Sequence, residues 1–404
     1  MRTRFTRMLA VAVLISIGVL VACSTKYSSS NNGLVVVSTK GIPSLDTFSL
    51  DLVNGHVPQI NNASGPPLNG QPTAVVLDPA GAYAYVMITQ SSTVPDSATG
   101  IETFPVASDG KLGSGSTTIL KGGVAPVAMV IDSAGKFLFV ADSIPAAVSV
   151  LGIGSNGSLT EVPGSPFAVT EQVPGGVTRN AIPSPSALAV TPTVYPSAFA
   201  VCSGSVPPTT EDLYVTDSAN YAVLNYSVSS AGALTPVSES ATGSVPSGVT
   251  VDPCNRFVYV SNSQPDNSVS AYTICRVVSL PSCPDANYSL LPVSGSPFAA
   301  GNSPGPLMMD AYAGFLYVLD TGQNAISSFR VSTTTGSLSV LSPTPVATNS
   351  YPTAMAIRSD DSWMFVTNLS SQNLSEYAIT PATGALTPQP PVQTDPFPWG
   401  VAVK

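Results

Sequence analysis

One short pattern recurs seven times along the chain, and it constrains the fold more than any other feature. The pattern is Pro, any residue, a small residue or Pro, an apolar residue, any residue and a second apolar residue. Its copies lie 46 to 61 residues apart and begin at Pro72, Pro126, Pro185, Pro246, Pro304, Pro352 and Pro398. Each repeat therefore has room for one small unit that stacks against like neighbours.

Each copy of this pattern leads into three further apolar segments. An aromatic-rich second segment such as KFLFVADS (136–143) follows after a polar turn, and a third such as NSVSAYTI (267–274) comes next. A turn such as TGAL (383–386) then introduces the fourth. These runs are strand signals, and the continuous apolarity of the second segments indicates a sheet covered on both faces. A stacked four-stranded unit of roughly 40–60 residues is a propeller blade.

The two ends of the chain predict how a ring of blades closes. LVVVSTK (34–40) matches a second strand, PSLDTFSLD (43–51) a third and NGHVPQI (54–60) a fourth, so the first blade lacks its innermost strand. PWGVAVK (398–404) is an innermost strand without a blade. Joining the two gives an all-β, seven-bladed β-propeller over 34–404, closed by the C-terminal strand. The alternative, an unclosed solenoid, needs capping repeats at both ends.

The composition agrees with a turn-rich β protein. Charged residues make up only 9% of the chain and hydrophobic residues 44%, whereas typical soluble domains have about 25% charged residues. Long amphipathic surface helices need such charges to face water, so we expect few of them. The 38 Pro and 32 Gly residues supply turns and stay below the fraction typical of disordered chains.

The charge balance argues against nucleic acid as a partner. The formal net charge is −9, and three of the basic residues, Arg2, Arg4 and Arg7, lie in a segment that we expect to be removed. The remaining chain has 11 basic and 23 acidic side chains. It would repel a phosphate backbone, and no Lys/Arg cluster offsets this repulsion.

The N-terminal segment reads as a secretory leader. A basic start precedes an apolar run from Met8 to Ala22, which is shorter than the roughly 20 residues of a membrane span and matches a signal-peptide core. Leu20 to Cys23 resembles the bacterial lipoprotein cleavage box. The resemblance implies a signal peptide over 1–22, diacylglycerol and palmitate-type acylation of Cys23, and a flexible tether over 23–33. Ser24 after the lipidated cysteine implies sorting to the outer membrane. The alternative is an ordinary signal peptide.

Four further cysteines are expected to pair in an oxidising compartment, which allows three connectivities. Cys275 and Cys283 flank the insertion CRVVSLPSC and are placed to staple its base. Cys202 and Cys254 then form the second bridge. A metal site is the alternative, but the sequence has no CxxC pair and no clustered His. We predict two structural disulfides, no metal and no cofactor.

The repeat segments resemble a known family. FVYVSN (257–262), LYVTDS (213–218) and MFVTN (364–368) are similar to the YVTN-type repeats of lactonase-like propellers, a family that includes propeller-type 6-phosphogluconolactonase. GSPF, present at 164–167 and 295–298, is similar to the variant in envelope lipoproteins of that group. The resemblance covers residues 33–404. It is specific for a seven-bladed fold and weak for activity.

The ends of the second strands supply the first candidate site. In a propeller, the loops that leave the second strands share one face with the loops that enter the next innermost strands, and ligands usually bind there. A ring of carboxylates and amides at this channel mouth suits a cation, a sugar or a lactone carbonyl. The recurrence in blade after blade favours the alternative, in which these side chains bond to the backbone of their turns. The candidates are Lys40, Asp142, Asp217, Asn262, Asp320 and Asn368.

The long connection 168–185 departs from the repeat symmetry and carries Glu171 and Arg179 towards the same mouth. Glu171 would act as a general base and Arg179 would hold an anion; the alternative is a solvated loop with ordinary charges. The single histidine, His56, is placed on the opposite face. No GxSxG elbow, Walker loop, HExxH or dinucleotide-binding motif is present.

Three functions remain open at this point. The first is a lipid-anchored binding or scaffold module of the bacterial envelope, with a protein or glycan partner. The second is a lactonase-type hydrolase that acts on an exported or environmental lactone through Glu171 and Arg179. The third is a structural envelope protein without a small ligand. Whether the chain is an enzyme is not decided by its sequence.

Overall fold

The computed structural model describes residues 32–51, 57–60, 65–91, 98–123, 125–169, 181–192, 202, 211–275, 290–342 and 344–404. These residues form 31 strands, numbered here in chain order, in seven antiparallel sheets. In the part of the chain described, no helix is long and apolar enough to span a membrane. We number the continuous blades I to VI along the chain and call the composite blade VII.

Each sheet follows the predicted order of strands from the axis outwards. The innermost strands of blades I to VII are β3 (Gln71–Leu77), β7 (Pro126–Ile131), β12 (Pro185–Val190), β16 (Pro246–Val251), β21 (Pro304–Met309), β26 (Pro352–Ile357) and β31 (Pro398–Val403). The second strands are β4 (Tyr83–Thr89), β8 (Phe137–Ser143), β13 (Glu211–Asp217), β17 (Phe257–Asn262), β22 (Phe315–Asp320), β27 (Trp363–Asn368) and β1 (Asn32–Thr39). Every repeat of the Pro-containing pattern therefore begins an innermost strand, as predicted.

The outer half of each blade is built from shorter elements. The third strands are β5 (Gly100–Pro105), β9 (Ala146–Ile153), β14 (Ala222–Val228), β18 (Ser268–Ile274), β23 (Ala325–Val331), β28 (Asn373–Thr380) and β2 (Ser44–Asp51). Blades I and III end in β6 (Ser116–Ile119) and β15 (Leu234–Ala241). In the other continuous blades two short segments share this place: β10 (Leu159–Glu161) and β11 (Phe167–Ala168), β19 (Leu290–Pro292) and β20 (Phe298–Ala299), β24 (Leu338–Val340) and β25 (Val346–Ala347), β29 (Ala385–Pro388) and β30 (Val392–Gln393).

The ring closes through the two ends of the chain. β31 pairs with β1 from Val35↔Val403 to Thr39↔Pro398, and β2 pairs with the other edge of β1. Gln59 bridges Phe48 on the outer side of β2, where the fourth strand of blade VII is predicted. Each innermost strand contacts the innermost strand of both neighbouring blades, including β31 with β3 and with β26. The predicted closure is therefore confirmed.

The core lies between the blades, which explains the continuous apolarity of the second strands. β17, β22 and β27 are buried at every residue, because neighbouring sheets cover both of their faces. Tyrosines on second strands also bind the next blade: the hydroxyls of Tyr85, Tyr259 and Tyr317 donate to the carbonyl oxygens of Gly157, Gly336 and Gly384 at 3.0–3.3 Å. These glycines lie in the turns before the fourth strands, where a positive φ of 71–76° favours glycine.

One predicted disulfide is present. Cys202 and Cys254 are bonded, with 5.3 Å between their Cα atoms, and both side chains are buried. Cys275 is also disulfide-bonded and buried. Cys283 lies outside the described residues, so the Cys275–Cys283 pairing stays a prediction.

Candidate functional site

One edge of the ring gathers two sets of loops, and we call it the mouth face. Because the first two strands of a blade are antiparallel, the start of the innermost strand lies beside the end of the second; Pro126 pairs with Asp142 in blade II. The mouth face therefore consists of the loops that join second to third strands and of the loops that lead into innermost strands. All six predicted ring residues lie on this face.

Five of the ring residues are fully buried at the mouth ends of their strands: Asp142, Asp217, Asn262, Asp320 and Asn368. In four blades a serine on the third strand is their partner. Ser149 and Ser327 donate to Asp142 and Asp320 at 2.8 and 2.6 Å, and the amides of Asn262 and Asn368 donate to Ser270 and Ser375 at 2.9 Å. In these four blades the ring side chain joins the second strand to the third inside the blade and does not reach the solvent.

Asp217 shows this supporting role most completely. Its Oδ1 accepts the backbone N–H groups of Ser184 at 2.9 Å, Ala219 at 3.1 Å and Asn220 at 3.3 Å. Ser184 precedes β12, and Ala219 and Asn220 follow β13, so one carboxylate joins both kinds of mouth loop. These contacts are the ones expected for a strand-ending Asp that bonds to its turn.

In two of the ring carboxylates, one of the two oxygens has no hydrogen-bond partner among the described residues. Oδ1 of Asp142 and Oδ1 of Asp320 are buried without a hydrogen bond among the described residues. Burial raises the pKa of each carboxyl from 3.8 to about 6, although the Ser149 and Ser327 hydroxyls oppose the shift. A buried carboxylate with a missing partner favours its neutral form.

Blades I and VII carry their acidic group one strand further out. Ile88 and Thr39 take the place of Asp142 in these blades, as their pairing with Pro72 and Pro398 shows. Glu102 and Asp46 on the third strands instead accept the backbone N–H groups of Asn69 at 2.5 Å and Asp395 at 2.7 Å. In these two blades a buried carboxylate on the third strand therefore accepts from the loop that enters the innermost strand.

Each innermost strand begins with an irregular residue directly after its proline. The register shifts between Pro398 and Gly400 in blade VII, and the equivalent shift recurs in the other six blades. Such bulges reorient a side chain and are frequent beside functional sites. In blade VII the reoriented residue is Trp399.

Trp399 contacts Lys40, the one ring candidate that is not fully buried. The Lys40 ammonium lies 3.1 Å from the centre of the Trp399 ring, which is a cation–π contact. The backbone N–H of Lys40 donates to Phe397 at 2.9 Å, and Gln71 Nε2 donates to the Lys40 carbonyl at 3.0 Å. Burial lowers the pKa of Lys40 from 10.5 to about 8.

Exposed apolar side chains also concentrate on the mouth face. Of the eleven large apolar side chains that are exposed in the described part of the chain, seven lie in mouth loops. We call these seven the apolar rim: Ile42, Ile144, Ile182, Tyr221, Val245, Tyr351 and Phe397. Their exposed fractions run from 40% at Val245 to 84% at Ile182.

Several rim residues have an uncommon backbone conformation. Val245, Tyr351 and Phe397 precede the prolines of their innermost strands with φ of 50°, 61° and 61°. Their carbonyl oxygens accept the N–H groups of Ser263, Leu369 and Lys40, at 2.9–3.1 Å. For bulky or β-branched residues a positive φ costs free energy. The surrounding loops therefore hold these side chains outward at some cost in stability.

Other predicted site residues are not placed. Glu171, Arg179, His56 and the lipidation candidate Cys23 lie outside the described residues, so their roles stay predictions. Within the described ranges no group of three or more His, Cys, Asp or Glu side chains could hold a metal ion.

The sequence reasoning named Lys40 but missed Trp399 and the apolar rim. A column-by-column alignment of the repeats contains the signal for Trp399, because the residue after the proline is small or aliphatic in every other blade. The rim is harder to find, since its members occupy loops of different length and share one face only because of the propeller fold.

The fold and the mouth face together define a closed seven-bladed propeller whose repeat symmetry breaks at one end of the axis. Residues 286–402 match the model of a family described as "Lactonase, 7-bladed beta-propeller". The predicted resemblance to lactonase-like propellers is thereby confirmed. No curated protein sequence matches the chain significantly.

Solved structures show the same fold at low sequence identity. A putative 6-phosphogluconolactonase from Bacteroides fragilis is 16% identical, with a TM-score of 0.70 over 93% of this chain and 99% of that one. The periplasmic gluconolactonase of Pseudomonas aeruginosa is 17% identical, with a TM-score of 0.67 over 92% and 99%. A Lactobacillus plantarum protein is 17% identical, with a TM-score of 0.68 over 92% and 99%. At this identity the likeness establishes the fold alone.

Proposed function

We propose that the protein is a carbohydrate-binding propeller of the bacterial envelope, with its ligand on the mouth face. The observation that carries the proposal is the apolar rim, because seven of the eleven large apolar side chains that are exposed among the described residues lie in the loops of this one face. Concentrated exposed apolar surface on a soluble domain marks an interaction site. Tyr221, Tyr351 and Phe397 add aromatic faces, which suit the C–H faces of a sugar.

The backbone of the rim supports the same proposal. Val245, Tyr351 and Phe397 keep a positive φ, and such residues cluster at ligand-binding sites because the fold holds them in place. Folding alone would favour Asn or Gly at these positions. A ligand that contacts these bulky side chains would explain why they are kept at these positions and point outward.

Anchoring through Cys23 belongs to the same proposal. β1 starts at the edge opposite the mouth, where Leu34 N–H donates to the Lys404 carbonyl at 3.3 Å. The eight residues 24–31 between Cys23 and β1 reach at most about 30 Å when fully extended. A lipid on Cys23 would hold the opposite face near the outer membrane and leave the mouth open to ligands.

A second candidate function is hydrolysis of a sugar lactone. The match of residues 286–402 to the lactonase family model favours it, as do the names of two structural relatives. In this version Glu171 acts as the general base and Arg179 stabilises the developing oxyanion.

Two matched variants test the binding proposal. Tyr351→Ser copies Ser303, which has the same place and a similar φ of 50° in blade V. Tyr312→Ser removes an exposed tyrosine from the opposite face, in the turn between β21 and β22. Residues 24–404 without lipid would be screened on a glycan array, with titration of the best ligand. We expect Tyr351→Ser to weaken binding at least about fivefold and Tyr312→Ser to leave it unchanged. Equal losses in both variants would contradict a mouth-face site.

Lactone hydrolysis is tested on the same preparation. A panel of γ- and δ-lactones would be measured against the spontaneous rate, for the parent and for Glu171→Ala/Arg179→Ala. Turnover that disappears in the double variant supports the second candidate. A rate equal to the spontaneous rate for every lactone of the panel excludes lactone hydrolysis as the function.

A further inference from the structure

Two positions of the repeat change character in blade VII, and the two residues touch each other. The first position directly follows the second-strand residue that pairs with the proline of the innermost strand; it is Thr89, Ser143, Ser218, Ser263, Thr321 or Leu369 in blades I to VI and Lys40 in blade VII. The residue after the proline of the innermost strand is Thr73, Val127, Ser186, Ser247, Gly305 or Thr353 in the same blades and Trp399 in blade VII. A structural role shared by all blades would not need this paired exception.

The ordinary residues at both positions serve the fold. The hydroxyls of Ser143, Ser218 and Thr321 donate to the backbone carbonyls of Ala125, Ser184 and Ser303 at 2.8–3.1 Å, within their own mouth loops. Ser186 and Ser247 donate to the proline carbonyls of the next innermost strands at 2.7 and 2.6 Å. Lys40 and Trp399 have no hydroxyl for these bonds, and their side chains contact each other instead.

The Lys40 ammonium is held in place, but its N–H groups remain available as hydrogen-bond donors to a ligand. Trp399 lies against it at 3.1 Å, and a ring face accepts no conventional hydrogen bond. Among the described residues, no carboxylate forms an ion pair with Lys40 and no acceptor takes a hydrogen bond from its Nζ. The acidic groups of the adjoining elements have other partners: Asp46 accepts from Asp395 N–H, Glu102 accepts from Asn69 N–H, and Asp395 Oδ2 accepts from the Ser44 hydroxyl at 3.4 Å.

From this geometry we propose that Lys40 and Trp399 form a subsite for the carboxylate of an acidic sugar, such as a uronate unit. The inference rests on the proposed carbohydrate-binding function and specifies its ligand. One ammonium balances one carboxylate, whereas the second charge of a phosphate would stay uncompensated in a half-buried place on an acidic protein. The rim aromatics lie in the same set of loops, and Phe397 directly precedes the Pro398–Trp399 segment.

Three probes separate the possible ligand chemistries. Methyl β-D-glucuronoside and methyl β-D-glucoside differ only in a carboxylate against a hydroxymethyl group, and glucose 6-phosphate carries a dianion. Binding to residues 24–404 would be measured by calorimetry and by tryptophan fluorescence, since Trp363 is buried and Trp399 is the half-buried one of the two tryptophans. We expect the glucuronoside to bind at least tenfold more tightly than the other two.

The variants copy residues that the fold already accepts in other blades. Lys40→Ser follows Ser143, and Trp399→Thr follows Thr353. We expect Lys40→Ser to remove the preference for the glucuronoside and to leave glucoside binding unchanged, whereas Lys40→Arg keeps the preference. Thermal melts confirm that each variant folds. A preference that survives in Lys40→Ser overturns the inference.

The pH dependence gives an independent readout. Because the pKa of Lys40 is lowered to about 8, its charge is lost between pH 7 and pH 9, and affinity for the glucuronoside falls towards that of the glucoside, by at most about 30-fold, from pH 6.5 to pH 9.5. Lys40→Arg removes that fall. Neutral glycans that bind through the rim without any carboxylate preference overturn the subsite but keep the proposed function. If no glycan or probe binds, both are wrong.

Discussion

Replacing Asp142 by Asn is expected to stabilise the protein at neutral pH. The side chain is fully buried, Ser149 donates to its Oδ2 at 2.8 Å, and its Oδ1 lacks a partner among the described residues. Blades IV and VI already hold Asn262 and Asn368 at this position, with their amides bonded to serines at 2.9 Å. The repeat therefore contains a working template for the substitution.

The magnitude follows from the pKa. Burial raises the pKa of Asp142 from 3.8 to about 6, so the folded protein holds this proton more tightly than the unfolded chain. The stability that this proton contributes is complete below pH 3.8 and is lost as the pH rises through 6. A difference of about two pKa units corresponds to about 3 kcal/mol. Asn avoids this loss. The free energy of unfolding of Asp142→Asn should therefore exceed that of the parent at pH 7.5, and the difference should vanish near pH 4.

Asp217→Asn is the matched control, because Asp217 has the same place in blade III but accepts three backbone N–H groups. An amide in either orientation fits these donors less well, so we expect a loss of about 1–3 kcal/mol. Urea unfolding of residues 24–404 at pH 7.5 and pH 4 measures both variants. A loss of stability for Asp142→Asn at pH 7.5, or an equal change at both pH values, would refute the reasoning.

Three further changes test how the ring is held together. Deletion of 398–404 uncovers one edge of β1 and should lower the free energy of unfolding by at least about 3 kcal/mol; a melting temperature within one degree of the parent contradicts the closure. Tyr259→Phe copies Phe139 of blade II and leaves the Gly336 carbonyl without its 3.0 Å donor, so we expect a loss of about 1 kcal/mol in urea unfolding. Replacing Cys202 and Cys254 by Ser opens a bridge with a sequence separation of 52 residues, and the expected loss is about 4 kcal/mol. An unchanged melting temperature in the double variant would show that this bridge does not restrain the unfolded chain.

Much of the fold could be predicted because each blade of a propeller repeats the same local pattern of apolar and polar residues. The Pro-containing pattern marks every innermost strand, and continuous apolar runs such as β22 mark second strands that neighbours cover on both faces. The incomplete ends of the chain predict the pairing of β31 with β1. These features depend on contacts that every blade repeats, so the seven copies all support the same prediction of strand order.

The candidate site was harder to predict from the sequence than the fold, and Asp142 shows why. An Asp at the end of a strand on the mouth face is compatible both with a ligand contact and with a hydrogen bond inside the blade. Only the structure shows that its side chain turns into the blade towards Ser149. Glu102 and Asp46 lie on the third strands and accept from mouth loops, which no single column of the repeat alignment reveals.

The sequence by itself determined the β class and the seven repeats, since each is decided by hydrophobic patterns within about 60 residues, and its two incomplete ends predicted the closure of the ring. Only the tertiary structure decided what the mouth face presents. Lys40 and Trp399 are separated by almost the whole chain, and they meet because β1 and β31 close the ring. Their contact, like the gathering of the apolar rim, follows from the geometry of closure and has no counterpart in any local pattern.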